Sequence, residues 1–136
     1  MKRTIPFLIL TLFLLTNACG PADNVKLRQE VIAVHDEVMP KMAQLKSLER
    51  KALKKAEELE SGDTTDSVKV EQYKALGYDL AHGYDSMFDW MHQYDIEDGD
   101  RTEEELKTYL DSQMVLVKDV NEEIKKALEK ADKLLE

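Results

Sequence analysis

The chain has 136 residues, 35% of them charged and 43% hydrophobic, with a formal net charge of −9. That acidic balance excludes non-specific nucleic-acid binding, which needs a basic footprint, and disfavours broad adsorption to anionic lipid. Five glycines and three prolines are few for this length, so the composition is that of long helices in one small domain.

The chain opens with Lys2 and Arg3, then an apolar run from Ile5 to Leu15 interrupted by Pro6 and Thr11, then Thr16-Asn17-Ala18-Cys19. A positive start, a short apolar run and a small-residue exit predict a secretory signal peptide over residues 1–18. The run is shorter than the about 20 apolar residues that a spanning helix needs. Cys19 is the sole cysteine, so no disulfide within the chain and no cysteine-based zinc site is expected. Ala18-Cys19 resembles the lipobox of bacterial lipoproteins, although Thr16 stands where an aliphatic residue is usual and Leu15 lies one position further back. The resemblance implies cleavage before Cys19 and lipidation of that residue, which makes the membrane a partner through the lipid on Cys19. An unlipidated free thiol at an exposed N-terminus would be a liability in an oxidising compartment. Processing removes Lys2 and Arg3 from the 19 basic residues; the 17 that remain, against 28 acidic, give −11. Residues 19–23 form a short tether.

Residues 24–136 are expected to form an all-α domain, an antiparallel up-down-up three-helix bundle with coiled-coil-like seams. The first helix is predicted over residues 24–60. Val31, His35, Val38, Met42, Leu45, Glu49, Ala52, Ala56 and Leu59 recur in steps of four and three, the spacing of a buried stripe. Pro40 lies inside this helix, where its missing N–H predicts a kink. Gly62 suits a helix end and Thr65 or Asp66 a helix start. The second helix follows over residues 67–94, with Tyr73, Leu76, Leu80, Tyr84, Met87, Met91 and Tyr94 on its stripe and Gly77 and Gly83 inside it. The glycines either admit a neighbouring helix closely or loosen their own.

Asp95, Glu97, Asp98 and Asp100 crowd the next turn, but their spacing does not match a calcium-binding EF-hand loop. Thr102 with Glu105 three residues on is a capping box. It opens the third helix, predicted over residues 103–135, whose stripe is Leu106, Leu110, Gln113, Val117, Val120, Ile124, Ala127, Ala131 and Leu134. Short connections make consecutive helices antiparallel. At 1.5 Å per residue the bundle is about 40–50 Å long.

Counting back from the first turn sets His35 near His92, Met39 against Phe88 and Met42 within a turn of Met87. The same count about the second turn sets Met91 against Leu106 and Met87 against Leu110. The methionines beyond the signal peptide, with His35 and His92, then share the anchor-proximal end. Soft thioethers with an imidazole favour Cu(I) or Ag(I), and His35, Met39, Met42, Met87 and Met91 are the candidate ligands. Two other readings fit the same residues: methionines filling the irregular gaps of a kinked, aromatic-rich core, and an adaptable methionine-rich partner surface. Three helices leave little room for a haem, and the chain has no Cys-x-x-Cys-His attachment sequence. No nucleophile–base set, phosphate-binding loop or inward pair of carboxylates is present in the pattern, so no catalysis is expected.

The octapeptide from His35 to Met42, HDEVMPKM, and the later Trp90-Met91-His92-Gln93-Tyr94 resemble a group of small cell-envelope lipoproteins of Bacteroidota. The likeness covers the whole plan of signal, lipobox and three helices, and implies a lipid-anchored envelope protein, in the outer membrane and facing the periplasm or the surface, without implying an activity. The function expected is a helical interaction or structural module with an envelope protein as partner. The alternative is a Cu(I) or Ag(I) carrier or sensor.

Overall fold

Stripes spaced at three and four residues leave little choice but helix. The computed structural model, which describes residues 21–62 and 66–135, is helical along nearly its whole length and has no strand among the described residues. The predicted signal peptide and Cys19 lie outside those residues. Three helical arms result. The first is broken into α1 (Pro21–Val38) and α2 (Met42–Glu60) by a 3-10 turn over Met39–Lys41. The second is α3 (Ser67–Gln93) and the third α4 (Glu103–Leu135). No described helix is long and apolar enough to cross a membrane.

The break corrects the expectation of one continuous helix over residues 24–60. Pro40 has no N–H to offer the Asp36 carbonyl, and its ring crowds the preceding turn. The chain answers with one tighter turn, in which Met42 N–H bonds the Met39 carbonyl. The interruption has a packing consequence. α1 packs chiefly on α4, whereas α2 packs chiefly on α3, which also contacts α4. Asn24, buried near the start of α1, donates to the Glu103 carbonyl at 2.9 Å and to its Oε2 at 2.7 Å. Past the break, a Cβ on Gly77 of α3 would meet Leu53 of α2, and Lys74 bonds Glu60 at 2.6 Å.

The core follows the predicted stripes with three displacements. Val31, Val38, Met42, Leu45, Ala52 and Ala56 are buried as expected. On α4, Asn121 and Leu135 are buried where the stripe has Val120 and Leu134, which are only partly covered. On α3, Trp90 is buried and Met91 is 37% exposed, so the tryptophan takes the seam position given to Met91. The third displacement is one of register. Gly83 lies against Ile124, whereas counting about the second turn pairs it with Met114. Nine residues separate α3 from α4, and they carry the start of α4 out past the end of α3 before the two helices pack, so that Lys130 reaches Asp79 and Tyr73 the Leu134 carbonyl.

The starts of α3 and α4 match their sequence signals, whereas α1 opens at Pro21, inside the expected tether of residues 19–23. Asp66 caps α3 by accepting from Lys69 N–H at 3.1 Å. Thr102 and Glu105 close the reciprocal capping box, with Thr102 N–H donating to Glu105 Oε2 at 2.9 Å and Glu105 N–H donating to Thr102 Oγ1 at 3.3 Å. Gly62 does not take the left-handed conformation, and Ser61 ends α2; Gly99, at φ 62°, is the glycine whose turn requires it.

Glu37 bridges the first and third arms, accepting from Lys125 Nζ at 2.6 Å and from Asn121 Nδ2 at 3.1 Å. These bonds hold its carboxyl below the ordinary carboxylate range, the lysine bond most; Thr102 does the same to Glu105, and Lys133 to Glu129. A depressed folded-state pKa contributes stability above the unfolded value and loses it as pH falls through the folded value. Stability is therefore expected to decline below the ordinary glutamate range. Glu37→Gln should flatten that decline, as read from urea midpoints at successive pH values; an unchanged slope would remove Glu37 from the account.

Candidate functional site

At the end of the molecule where α1 starts and α3 stops, aromatic rings succeed one another. The His35 and Trp90 rings are 5.5 Å apart, Trp90 and Tyr94 4.9 Å, and Tyr94 and Tyr109 6.2 Å. Trp90 and Tyr94 stand four residues apart and so share one flank of α3. α1 leans on α4 rather than on α3, which leaves a gap on the α3 side. A pocket of about 280 Å³ occupies it, lined by Arg28, Ile32, His35, Trp90, Met91, Tyr94 and Ile96.

The polar tips around this pocket are turned to other work. Arg28 donates to Tyr94 Oη at 3.0 Å and to the Asp95 carbonyl at 3.0 Å, and also pairs with the Asp98 carboxylate. Arg101 bonds Asp95 Oδ2 at 2.5 Å and stacks over the Tyr109 ring at 4.3 Å. Asp95 N–H donates to Tyr109 Oη at 2.6 Å. The acidic turn of Asp95, Glu97, Asp98 and Asp100 is thus folded by two arginines and a tyrosine. Among the described residues no group of three His, Cys, Asp or Glu is arranged to hold a metal. Burial lifts the Tyr94 phenol above its ordinary value, and the Arg28 charge opposes this in part.

His35 Nδ1 lies 2.9 Å from Asp36 Oδ1, while Nε2 is buried with no hydrogen-bond partner. A carboxylate on one ring nitrogen favours the tautomer with the proton there and the lone pair on the other. Trp90 Nε1 is likewise buried and unpartnered. An orphaned donor and an orphaned acceptor on neighbouring rings are an uncommon arrangement, since buried polar groups are usually satisfied.

The five candidate soft-metal ligands divide. His35 and Met91 line the pocket together. Met42 and Met87 are buried in the core, and Met39 packs partly covered against it. His92, expected opposite His35, is exposed, and Trp90 takes its place beside the histidine. Cys19 lies outside the described residues. Sequence reasoning did not single out Arg28, Ile32 or Ile96. Arg28 and Ile32 lie off the main stripe, and Ile96 sits in a turn; the visible signal was an isolated isoleucine within an acidic run.

No protein-family model, no curated protein and no solved structure matches the chain.

Proposed function

We propose that this chain is a lipid-anchored cell-envelope protein, an up-down-up three-helix bundle that acts by binding a partner and not by catalysis. The observation that carries the binding reading is the pocket walled by Ile32, Trp90, Met91, Tyr94 and Ile96. Concave apolar surfaces of this kind are the usual ligand or anchor sites of small proteins. Asn24, close to the tether, and Glu103 bond at the same end, so the pocket would face the zone next to the membrane. The up-down-up course is supported by the bond between Asn24 and Glu103 and by that between Lys51 Nζ and the Leu135 carbonyl at 2.9 Å, which run the first and third arms side by side in the same sense. Membership of the Bacteroidota envelope lipoproteins stays with this proposal, on the strength of the quoted sequence likeness.

The test uses wild-type chain and Cys19→Ser. Radiolabelled acyl chains should enter the first and not the second, and the second should leave the membrane fraction. A neutral solvatochromic dye should bind the soluble Cys19→Ser form and perturb the emission of Trp90, the chain's only tryptophan. Label in both forms overturns the anchor; an unperturbed tryptophan overturns the pocket.

The unpartnered Nε2 of His35 favours one second reading, a soft-metal site. Its ligands would be His35 and Met91, the two candidates that line the pocket together. Cu(I) should then be won from a coloured chelator by the wild type and not by His35→Ala; equal loss of the competition by both removes this reading.

A further inference from the structure

We infer that the pocket receives a bulky apolar side chain presented by a basic protein segment. The inference rests on the binding reading above and names the partner. Three observations converge on it. The first is size. At about 280 Å³ the pocket falls just under the range of about 300–1,000 Å³ that holds drug-sized ligands, and it suits one large side chain. The second is the chemistry of the walls. Arg28 is held by Tyr94, Asp95 and Asp98, and His35 presents Nδ1 to Asp36. His35 Nε2 and Trp90 Nε1 lack partners but are themselves covered, so what an occupant meets is hydrocarbon and aromatic face. Ile96, 81% exposed, and Met91, 37% exposed, stand at the rim as uncovered apolar surface. A buried aromatic flanked by exposed apolar residues is the arrangement of an interface anchor point.

The third observation is charge. From Asp89 to Arg101 the chain carries Asp89, Asp95, Glu97, Asp98 and Asp100 against a single arginine. Arg28 and Arg101 are already paired to Asp98 and Asp95. Glu97 and Asp100 hold no ion pair among the described residues and are exposed. The stretch that supplies Trp90, Met91, Tyr94 and Ile96 to the pocket is therefore net negative, with Glu97 directly beside the exposed Ile96, on a chain whose net charge is −9. Such a rim attracts lysine and arginine and repels acidic segments, which sets orientation and on-rate. It equally repels an anionic lipid surface.

The experiment uses the full chain carrying Cys19→Ser, with Trp90 fluorescence as the readout. The probes are short tryptophan-free peptides: one phenylalanine flanked by lysines, the same phenylalanine flanked by glutamates, and the lysine peptide with alanine in place of phenylalanine. The lysine–phenylalanine peptide should shift Trp90 emission and bind about ten-fold tighter than its glutamate counterpart at low salt, a gap that narrows as salt screens the rim. The alanine peptide should not bind. Ile96→Ala with Met91→Ala, both at exposed positions, should weaken binding several-fold, and Glu97→Gln with Asp100→Asn should shrink the preference for lysine. Equal binding of the lysine and glutamate peptides overturns the partner assigned here and leaves the pocket reading intact. Failure of every peptide and of the neutral dye overturns both. A response to zwitterionic vesicles alone would make this a membrane-contacting surface and also overturn the inference.

Discussion

Gly83→Leu is expected to destabilise the protein by about 3 kcal/mol, the upper part of the overpacking range. A Cβ at Gly83 would already lie 3.2 Å from Ile124 Cγ1 and 3.6 Å from Ile124 Cα. Ile124 is fully buried, so neither its side chain nor the α4 backbone has anywhere to retreat. The remaining carbons of a leucine would have to push α3 and α4 apart. The control is Gly77→Ala. Its Cβ would come within 2.7 Å of Leu53 Cδ2, nominally a worse clash. Leu53, however, is 45% exposed and can rotate outward, while the helix gains up to about 1 kcal/mol on replacing glycine. Gly77→Ala should therefore stay within about 1 kcal/mol of wild type. Urea denaturation reads both. Similar losses at the two positions would mean that the tightness of the contact, and not the freedom of the neighbour to move, decides the outcome.

The second large effect is expected at Asn121. It is 4% exposed, and its Nδ2 donates to the Val34 carbonyl at 2.9 Å and to Glu37 Oε2 at 3.1 Å. Asn121→Asp keeps the shape and removes both donors. It also sets a second carboxyl beside Glu37 in a poorly hydrated place, at a cost of about 3 kcal/mol near neutral pH. Burial and the Glu37 charge raise the folded-state pKa of the new carboxyl, so its penalty should shrink as acid protonates it, opposite in sign to the acid sensitivity expected of Glu37 itself. Asn121→Leu removes the donors without adding a charge and leaves Glu37 its bond to Lys125. It should cost less than about 1.5 kcal/mol. Were the leucine variant the worse of the two, the polar link would be a major stabiliser in its own right.

Asn121 also marks where sequence reasoning stopped. Periodicity assigned helix to nearly every residue that is helical, and the capping box at Thr102 placed the start of α4 to the residue. It also chose Val120 over Asn121, because a hydrophobic stripe has no means of recognising a buried amide whose partners come from another helix. Trp90 and Met91 were exchanged for a related reason. Adjacent positions differ by about 100° around a helix, and the seam between them is decided by how the neighbouring helix leans. That lean comes from Pro40. The sequence announced a kink there, but the choice of neighbour on either side of it is a matter of tertiary packing. The pocket that follows from the lean was accordingly invisible. Its histidine and its methionine were identified for their chemistry; Arg28, Ile32 and Ile96 carry no pattern of their own.

The transfer of the first arm from α4 to α3 at Pro40 has a mechanical corollary. A pulling force that enters at the start of α1 meets the Asn24–Glu103 clasp first, then the Asn121 and Lys125 bonds to α1. These contacts sit one after another along a single interface, so they are expected to yield in sequence, like a zip. At the 3-10 turn the track changes, because α2 is held by a different neighbour, and the peeling should halt there. Tension on the tether would then dismantle the wall that bears Arg28, Ile32 and His35 while the α2–α3 pair stays folded. A partner seated in the pocket would be released by strain long before the domain itself came apart.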